Sequence, residues 1–155
     1  MPLAIGDLAP DFTLPASGGR TVSRDALKGQ PFVLYFYPRA DTPGCTQEAC
    51  AFQEALPQLG AIGVTVIGVS KDKMKPIEKF AEKYNLTFPL ASDPETKVID
   101  SYGAWVEKSM YGKKYMGIER STVLVDAEGK IAKIWPKVKI AGHAAEVLQA
   151  VNELK

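Results

Sequence analysis

The run Phe32-Val33-Leu34-Tyr35-Phe36-Tyr37 carries no charge and is closed by Pro38. A half-exposed strand alternates polar and apolar side chains, so an uninterrupted apolar and aromatic run suits a strand buried on both faces, as in sheets covered by helices. Proline cannot extend the ladder, and the chain turns through Arg39-Ala40-Asp41-Thr42-Pro43-Gly44 into Cys45. The run therefore fixes a central strand and points its carboxyl end at a thiol.

The remaining patterns fit around it. From Cys45 to about Leu59, the apolar positions Ala49, Phe52, Leu56 and Leu59 recur at helical spacing, with Gly60 and Gly63 beyond the end. Val64 to Val69 reads as a second buried strand, and Pro76 to Tyr84 as a helix with Ile77, Phe80 and Ala81 on one face. Phe88-Pro89-Leu90 is a short extended piece, and Asp93-Pro94 opens a helix carrying Val98, Ile99 and Tyr102. Trp105 to Gly117 reads as a loop rich in aromatics and glycine, either lining an entrance or packing into the core. Ser121 to Asp126 and Ile131 to Trp135, joined by Ala127-Glu128-Gly129, predict a hairpin, as do Phe12 to Leu14 and Thr21 to Ser23 across Gly18-Gly19. Gly142 to Leu154 closes the chain as an amphipathic helix. Parallel strands joined by helices, with antiparallel hairpins at both ends, predict an α/β chain with a thioredoxin-like fold, a mixed central sheet, helices on both faces and an N-terminal β-hairpin. Chemistry in such sheets gathers at the carboxyl ends of the strands.

At 155 residues, with 46% hydrophobic and 24% charged residues, the chain suits one globular domain over 1–155. A formal net charge of +1 gives no electrostatic reason to expect nucleic acid or an anionic membrane as partner. No apolar stretch approaches the roughly 18 residues that a membrane-spanning helix needs, and Met1 to Asp7 lacks a signal-peptide layout. A soluble cytoplasmic protein is expected, in which the two cysteines, Cys45 and Cys50, are working thiols rather than a permanent staple.

A thiol in the first turn of a helix meets unpaired backbone N–H groups and the positive end of the helix dipole, both of which favour the reactive thiolate. A second thiol five residues on suggests that the first is oxidised and the second resolves it. On an intact helix, however, residues five apart have Cα atoms about 8.7 Å apart. A disulfide needs less than about 7 Å. Condensation of an oxidised Cys45 with Cys50 would therefore require the first turns of the helix to unwind.

Pro38-x-x-x-Thr42-x-x-Cys45 resembles the active-site motif of peroxiredoxins. Gly44-Cys45-Thr46-Gln47-Glu48-Ala49-Cys50 is similar to the bacterioferritin comigratory protein, or peroxiredoxin Q, subfamily. The likeness runs from Gly6-Asp7-Leu8-Ala9-Pro10-Asp11-Phe12 through Tyr111-Gly112-Lys113-Lys114-Tyr115 to Arg120-Ser121-Thr122. It implies reduction of hydrogen peroxide and alkyl hydroperoxides without metal or organic cofactor, in a monomer that thioredoxin reduces. It also implies that Arg120 contacts sulfur and peroxide, that Thr42 and the N–H groups near Gly44 and Cys45 hold the peroxide oxygens, and that Pro38 shields the sulfur. Glu48, one turn beyond Cys45, would oppose the thiolate if it faced the sulfur, so it is expected to pair with Arg39 or Arg120 or to face solvent.

The other notable residues receive plainer readings. His143 is expected to cap a helix or lie on the surface, and Lys71-Asp72-Lys73 and Lys137-Val138-Lys139 to be solvated charge. Two alternatives share the fold. A thiol-disulfide oxidoreductase carries Cys-x-x-Cys and a proline before the facing strand, whereas here four residues separate the thiols and Glu119-Arg120-Ser121-Thr122 has no proline. A copper chaperone of the Sco type places three residues between its cysteines and adds a distant histidine.

Overall fold

The computed structural model describes residues 3–154. The predicted central strand is β3 (Phe32–Phe36), buried at every position. It pairs in parallel with β4 (Thr65–Ser70) and antiparallel with β8 (Ser121–Val125). With β1 (Thr13–Ala16), β2 (Arg20–Ser23), β5 (Leu90–Ser92) and β9 (Ile131–Trp135), these form a mixed seven-stranded sheet in the order β2-β1-β5-β4-β3-β8-β9.

Because side chains alternate across a strand, β3 feeds two cores. Phe32, Leu34 and Phe36 join the cluster that holds Phe12, Ile99 and Tyr102. Val33, Tyr35 and the following Tyr37 join the cluster beneath α1 (Pro43–Ala61), α2 (Met74–Lys83) and α4 (His143–Asn152). The short α3 (Lys97–Ser101) lies on the first face through Val98 and Ile99. Burying each large side chain contributes about 1.5–3 kcal/mol, which is why the all-apolar strand lies inside the sheet, flanked by β4 and β8. No helix among the described residues is long and apolar enough to cross a membrane.

Three expectations are corrected. Trp105 to Gly117 is not a loop: β6 (Trp105–Met110) and β7 (Lys113–Ile118) form a separate two-stranded hairpin in continuous register. Tyr111 and Gly112 join them with φ of 52° and 77°, the left-handed pair that a two-residue hairpin turn needs. Of its apolar residues, Trp105 packs partly against the core, whereas Met110, Tyr111, Tyr115 and Met116 are exposed. His143 is buried rather than superficial: its ring meets Phe52 and Trp135 edge-on, and Nε2 lies 2.8 Å from the Thr122 hydroxyl. Asp72 is not free charge: its carboxylate accepts from the Ala40 amide at 2.7 Å and the Ser70 hydroxyl at 2.8 Å.

The long helix α1 has an internal proline, Pro57. Proline offers no N–H, so the bond to the carbonyl four residues earlier, that of Gln53, is missing. The Gln53 side chain is fastened elsewhere, donating to the Thr87 hydroxyl and accepting from the Thr87 amide, both at 2.8 Å.

Candidate active site

The site is assembled where β3 ends. Two anchors shape the loop after Tyr37: the Ala40 amide on Asp72, and the Asp41 carboxylate, which accepts from Tyr84 Oη at 2.8 Å and faces Lys83 Nζ at 3.1 Å. Asp41 itself adopts φ of 61°, a left-handed conformation that Asp tolerates better than most residues. The loop delivers Thr42 as the residue preceding α1, with Pro43 and Gly44 in its first turn and Cys45 next. Proline suits the first helical position because the N–H it lacks would have no intrahelical partner there. The first intrahelical bond runs from the Thr46 amide to the Thr42 carbonyl at 2.9 Å. The amides of Gly44 and Cys45 fall among the early helical donors that the helix itself leaves free.

Cys45 is 1% exposed and packs with Tyr35, Tyr37, Ala49 and Phe52. Arg120 reaches it from the edge of β8, with Nη2 donating to Cys45 Sγ at 3.2 Å. The other arm of the guanidinium, Nη1, meets Glu48 Oε1 at 2.7 Å. The Glu48 side chain is only 2% exposed and that of Arg120 18%. Glu48 thus takes Arg120, not Arg39 or solvent. Gly44 makes this approach possible: a Cβ there would lie 3.2 Å from Ile140 Cδ1 and 3.3 Å from Arg120 Nη2.

Burial pushes the Glu48 carboxyl up to about 7, against the pull of the Arg120 charge and hydrogen bond. Its Oε2 is buried without a hydrogen-bond partner, an arrangement that favours the neutral acid. Burial opposes the charge on Arg120, but its hydrogen bond to Cys45 and the nearby Glu48 carboxylate outweigh that and raise it above its ordinary value. The same guanidinium therefore serves two acceptors, and the protonation of Glu48 decides how much of its charge is left for the sulfur.

The raised Glu48 value has a definite sign for stability. Between about pH 4.5 and 7 the folded chain keeps the Glu48 proton while the unfolded chain has lost it, so Glu48 lowers stability progressively as pH rises through that window. Unfolding free energies of wild type and Glu48→Gln across pH 4 to 8 should diverge by about 3 kcal/mol over this interval, the wild type losing ground, and run parallel above it. A difference independent of pH would show that burial does not dominate at Glu48.

The other sequence-derived positions are placed less uniformly. The Thr42 hydroxyl donates to the Arg39 carbonyl at 2.9 Å, which leaves its lone pairs available to accept a hydrogen bond. Pro38 is half-buried where the loop begins. Cys50 is half-buried, lies on the same unbroken stretch of α1, and is free, as is Cys45. The helix holds their Cα atoms about 8.7 Å apart. The copper alternative needs a histidine beside the thiols, but His143, the only histidine in the chain, is tied to Thr122. Among the described residues no three His, Cys, Asp or Glu side chains gather as metal ligands. Sequence reasoning missed Asp72 as a loop anchor. The signal was its adjacency to the end of a buried strand, where a carboxylate can accept from a neighbouring loop.

A buried thiol under an arginine, at the start of a helix on a mixed sheet of this order, defines a thioredoxin-like thiol protein. The chain matches the AhpC/TSA family over residues 5–134 and belongs to it. It is 52% identical over 148 residues to a putative peroxiredoxin bcp of Coxiella burnetii, covering 96% of this chain and 98% of the relative. It is 45% identical to peroxiredoxin Bcp of Bacillus subtilis, covering 99% and 98%. A cysteine-to-serine mutant of Xylella fastidiosa PrxQ superposes with a TM-score of 0.92 at 37% identity over 97% of this chain and 96% of that one. The bacterioferritin comigratory protein of Xanthomonas campestris, described for its alkyl peroxide reduction activity, gives 0.88 at 40% identity over 93% and 92%. Within the family the chain is thus a peroxiredoxin of the Bcp, or peroxiredoxin Q, type.

Proposed function

We propose that residues 1–155 act as one peroxiredoxin domain that reduces hydrogen peroxide and alkyl hydroperoxides through Cys45, with Cys50 as its resolving partner. The observation that carries this reading is the donation from Arg120 Nη2 to Cys45 Sγ at 3.2 Å. A guanidinium at that distance stabilises the sulfur as an anion, the form that attacks.

The Cys45 thiolate attacks one peroxide oxygen; the S–O bond forms as the O–O bond breaks, leaving a sulfenic acid and, after protonation, water or an alcohol. Charge develops on the departing oxygen, and donors aimed there lower the barrier. Arg120 and the amides of Gly44 and Cys45 supply them. Thr42, its own proton held by Arg39, accepts from the peroxide O–H and so orients it, while Pro38 screens the sulfur from water. The Cys50 thiol then displaces water from the sulfenic acid to give a Cys45–Cys50 disulfide, once the start of α1 has unwound. Thioredoxin or a similar dithiol restores both thiols, in a monomer working in the cytoplasm, where thiols stay reduced.

One equivalent of tert-butyl hydroperoxide added to the reduced protein without air should consume both thiols, release tert-butanol and leave one Cys45–Cys50 bridge by peptide mass spectrometry. Amide protection through residues 43 to 52 should fall in the product. Thiols that survive the peroxide would sink the peroxidase assignment; a bridge formed with protection intact would sink the unwinding step.

A further inference from the structure

We propose that His143 is a positioning residue for the reaction: it latches a strap, residues 136–142, that holds Arg120 against Cys45. The inference rests on the peroxidase reading above and adds the means by which the guanidinium is kept on the sulfur.

The strap begins and ends on the same residue. It leaves β9 at Trp135, whose register partner on β8 is Thr122. Midway, the Val138 amide donates to the Arg120 carbonyl at 2.8 Å. At the far end the His143 amide donates to the Ile140 carbonyl at 3.1 Å, closing a turn in which Gly142 has φ of 75°. His143 Nε2 then returns to the Thr122 hydroxyl at 2.8 Å. Between these fastenings Val138 and Ile140 are half-buried while Lys137 and Lys139 are exposed, so every second side chain of this stretch is laid inward. Ile140 Cδ1 lies 3.2 Å from the point where a Gly44 Cβ would stand, and Arg120 Nη2, the donor to Cys45 Sγ, lies 3.3 Å from that point. Ile140 and the guanidinium therefore crowd the same face of Gly44, and the strap limits the swing of Arg120 away from the sulfur.

The latch is suited to hold. His143 and Thr122 are 2% and 0% exposed, so breaking their bond leaves two polar groups buried without water to replace it. Edge-on contacts with Phe52 at 5.9 Å and Trp135 at 5.4 Å fix the imidazole plane. Its Nδ1 faces Glu146 Oε1 only at 3.9 Å, beyond hydrogen-bond reach. A leucine could fill this space, but only a side chain with a polar atom at that reach ties the strap to β8.

The test reads the ultraviolet absorbance of the Cys45 thiolate against pH and the single-turnover rate with hydrogen peroxide, with Cys50→Ser as the common background so that one thiol is seen. His143→Leu removes the latch bond and keeps the bulk; Thr122→Val removes it from the other side with little change of shape. Each should raise the thiolate midpoint by about half a pH unit. Each should also slow the peroxide reaction about tenfold, less than outright removal of the donor. The two changes together should do no more than either alone, and His143→Gln should recover most of the loss. In protein that also carries Arg120→Met, His143→Leu should move neither reading further. Ile99→Val, in the core on the opposite face of the sheet, controls for stability and should leave the midpoint in place. Latch variants that lose thermal stability but keep the midpoint and rate overturn the assignment, as does an effect of His143→Leu that persists without Arg120. A thiolate that forms yet consumes no hydrogen peroxide would instead overturn the peroxidase reading itself.

Discussion

Cys45→Ser is expected to consume no peroxide at any concentration of dithiol reductant, whereas Cys50→Ser should react once, at close to the wild-type rate, and then stall on thioredoxin. The asymmetry follows from position. Cys45 is in van der Waals contact with the buried cluster and in hydrogen-bond contact with Arg120; serine keeps that geometry but brings an alkoxide far too basic to form there. Cys50 contributes nothing to that pocket, so its loss leaves the first chemical step intact. Stopped-flow mixing followed by multi-turnover assay separates the two outcomes. Sustained turnover by Cys50→Ser on thioredoxin would show that resolution does not need it.

Arg120→Met should slow the peroxide reaction by about 10²–10³-fold, the usual cost of removing a donor aimed at developing charge. It should also leave Glu48, 2% exposed, with an unanswered carboxylate. Removing one member of a buried pair ordinarily destabilises by about 3–5 kcal/mol, but Glu48 can escape by keeping its proton. The stability loss should therefore be about 2–3 kcal/mol at pH 8 and much smaller at pH 5, where burial already keeps Glu48 neutral. Adding Glu48→Gln should restore most of the stability and none of the rate. Recovery of the rate in the double variant would mean that Arg120 acts only by neutralising Glu48.

What could be read without coordinates divides along physical lines. Phe32 to Tyr37 announced its burial because no half-exposed strand has that composition, and both flanking hairpins carried turn residues at suitable places. The motif from Pro38 to Cys45 was legible because it is local. Glu48 was not resolved beyond a choice of partners, since its partner lies 72 residues away and only the tertiary approach of β8 selects it. His143 was misplaced for the same reason: Thr122 and Phe52 help to bury it, and neither is near in sequence. The β6–β7 hairpin was read as a loop because it stands apart from the main sheet with exposed residues on both faces, so no period of two marks it. Its turn is Tyr111-Gly112, with Tyr111 98% exposed, rather than an asparagine–glycine pair.

Pro57 and Gln53 give α1 a built-in division of labour. A continuous helix shares its hydrogen-bond ladder end to end, so fraying at one terminus tends to travel. Here the ladder is already interrupted at Pro57, and just upstream the Gln53 side chain is bolted to Thr87 while Phe52 stacks on Tyr35 at 4.8 Å. In the proposed cycle the turns from Pro43 to Ala51 would come apart and re-form as a detachable cap, while everything from Phe52 onward would stay seated on the sheet as the template that re-closes it.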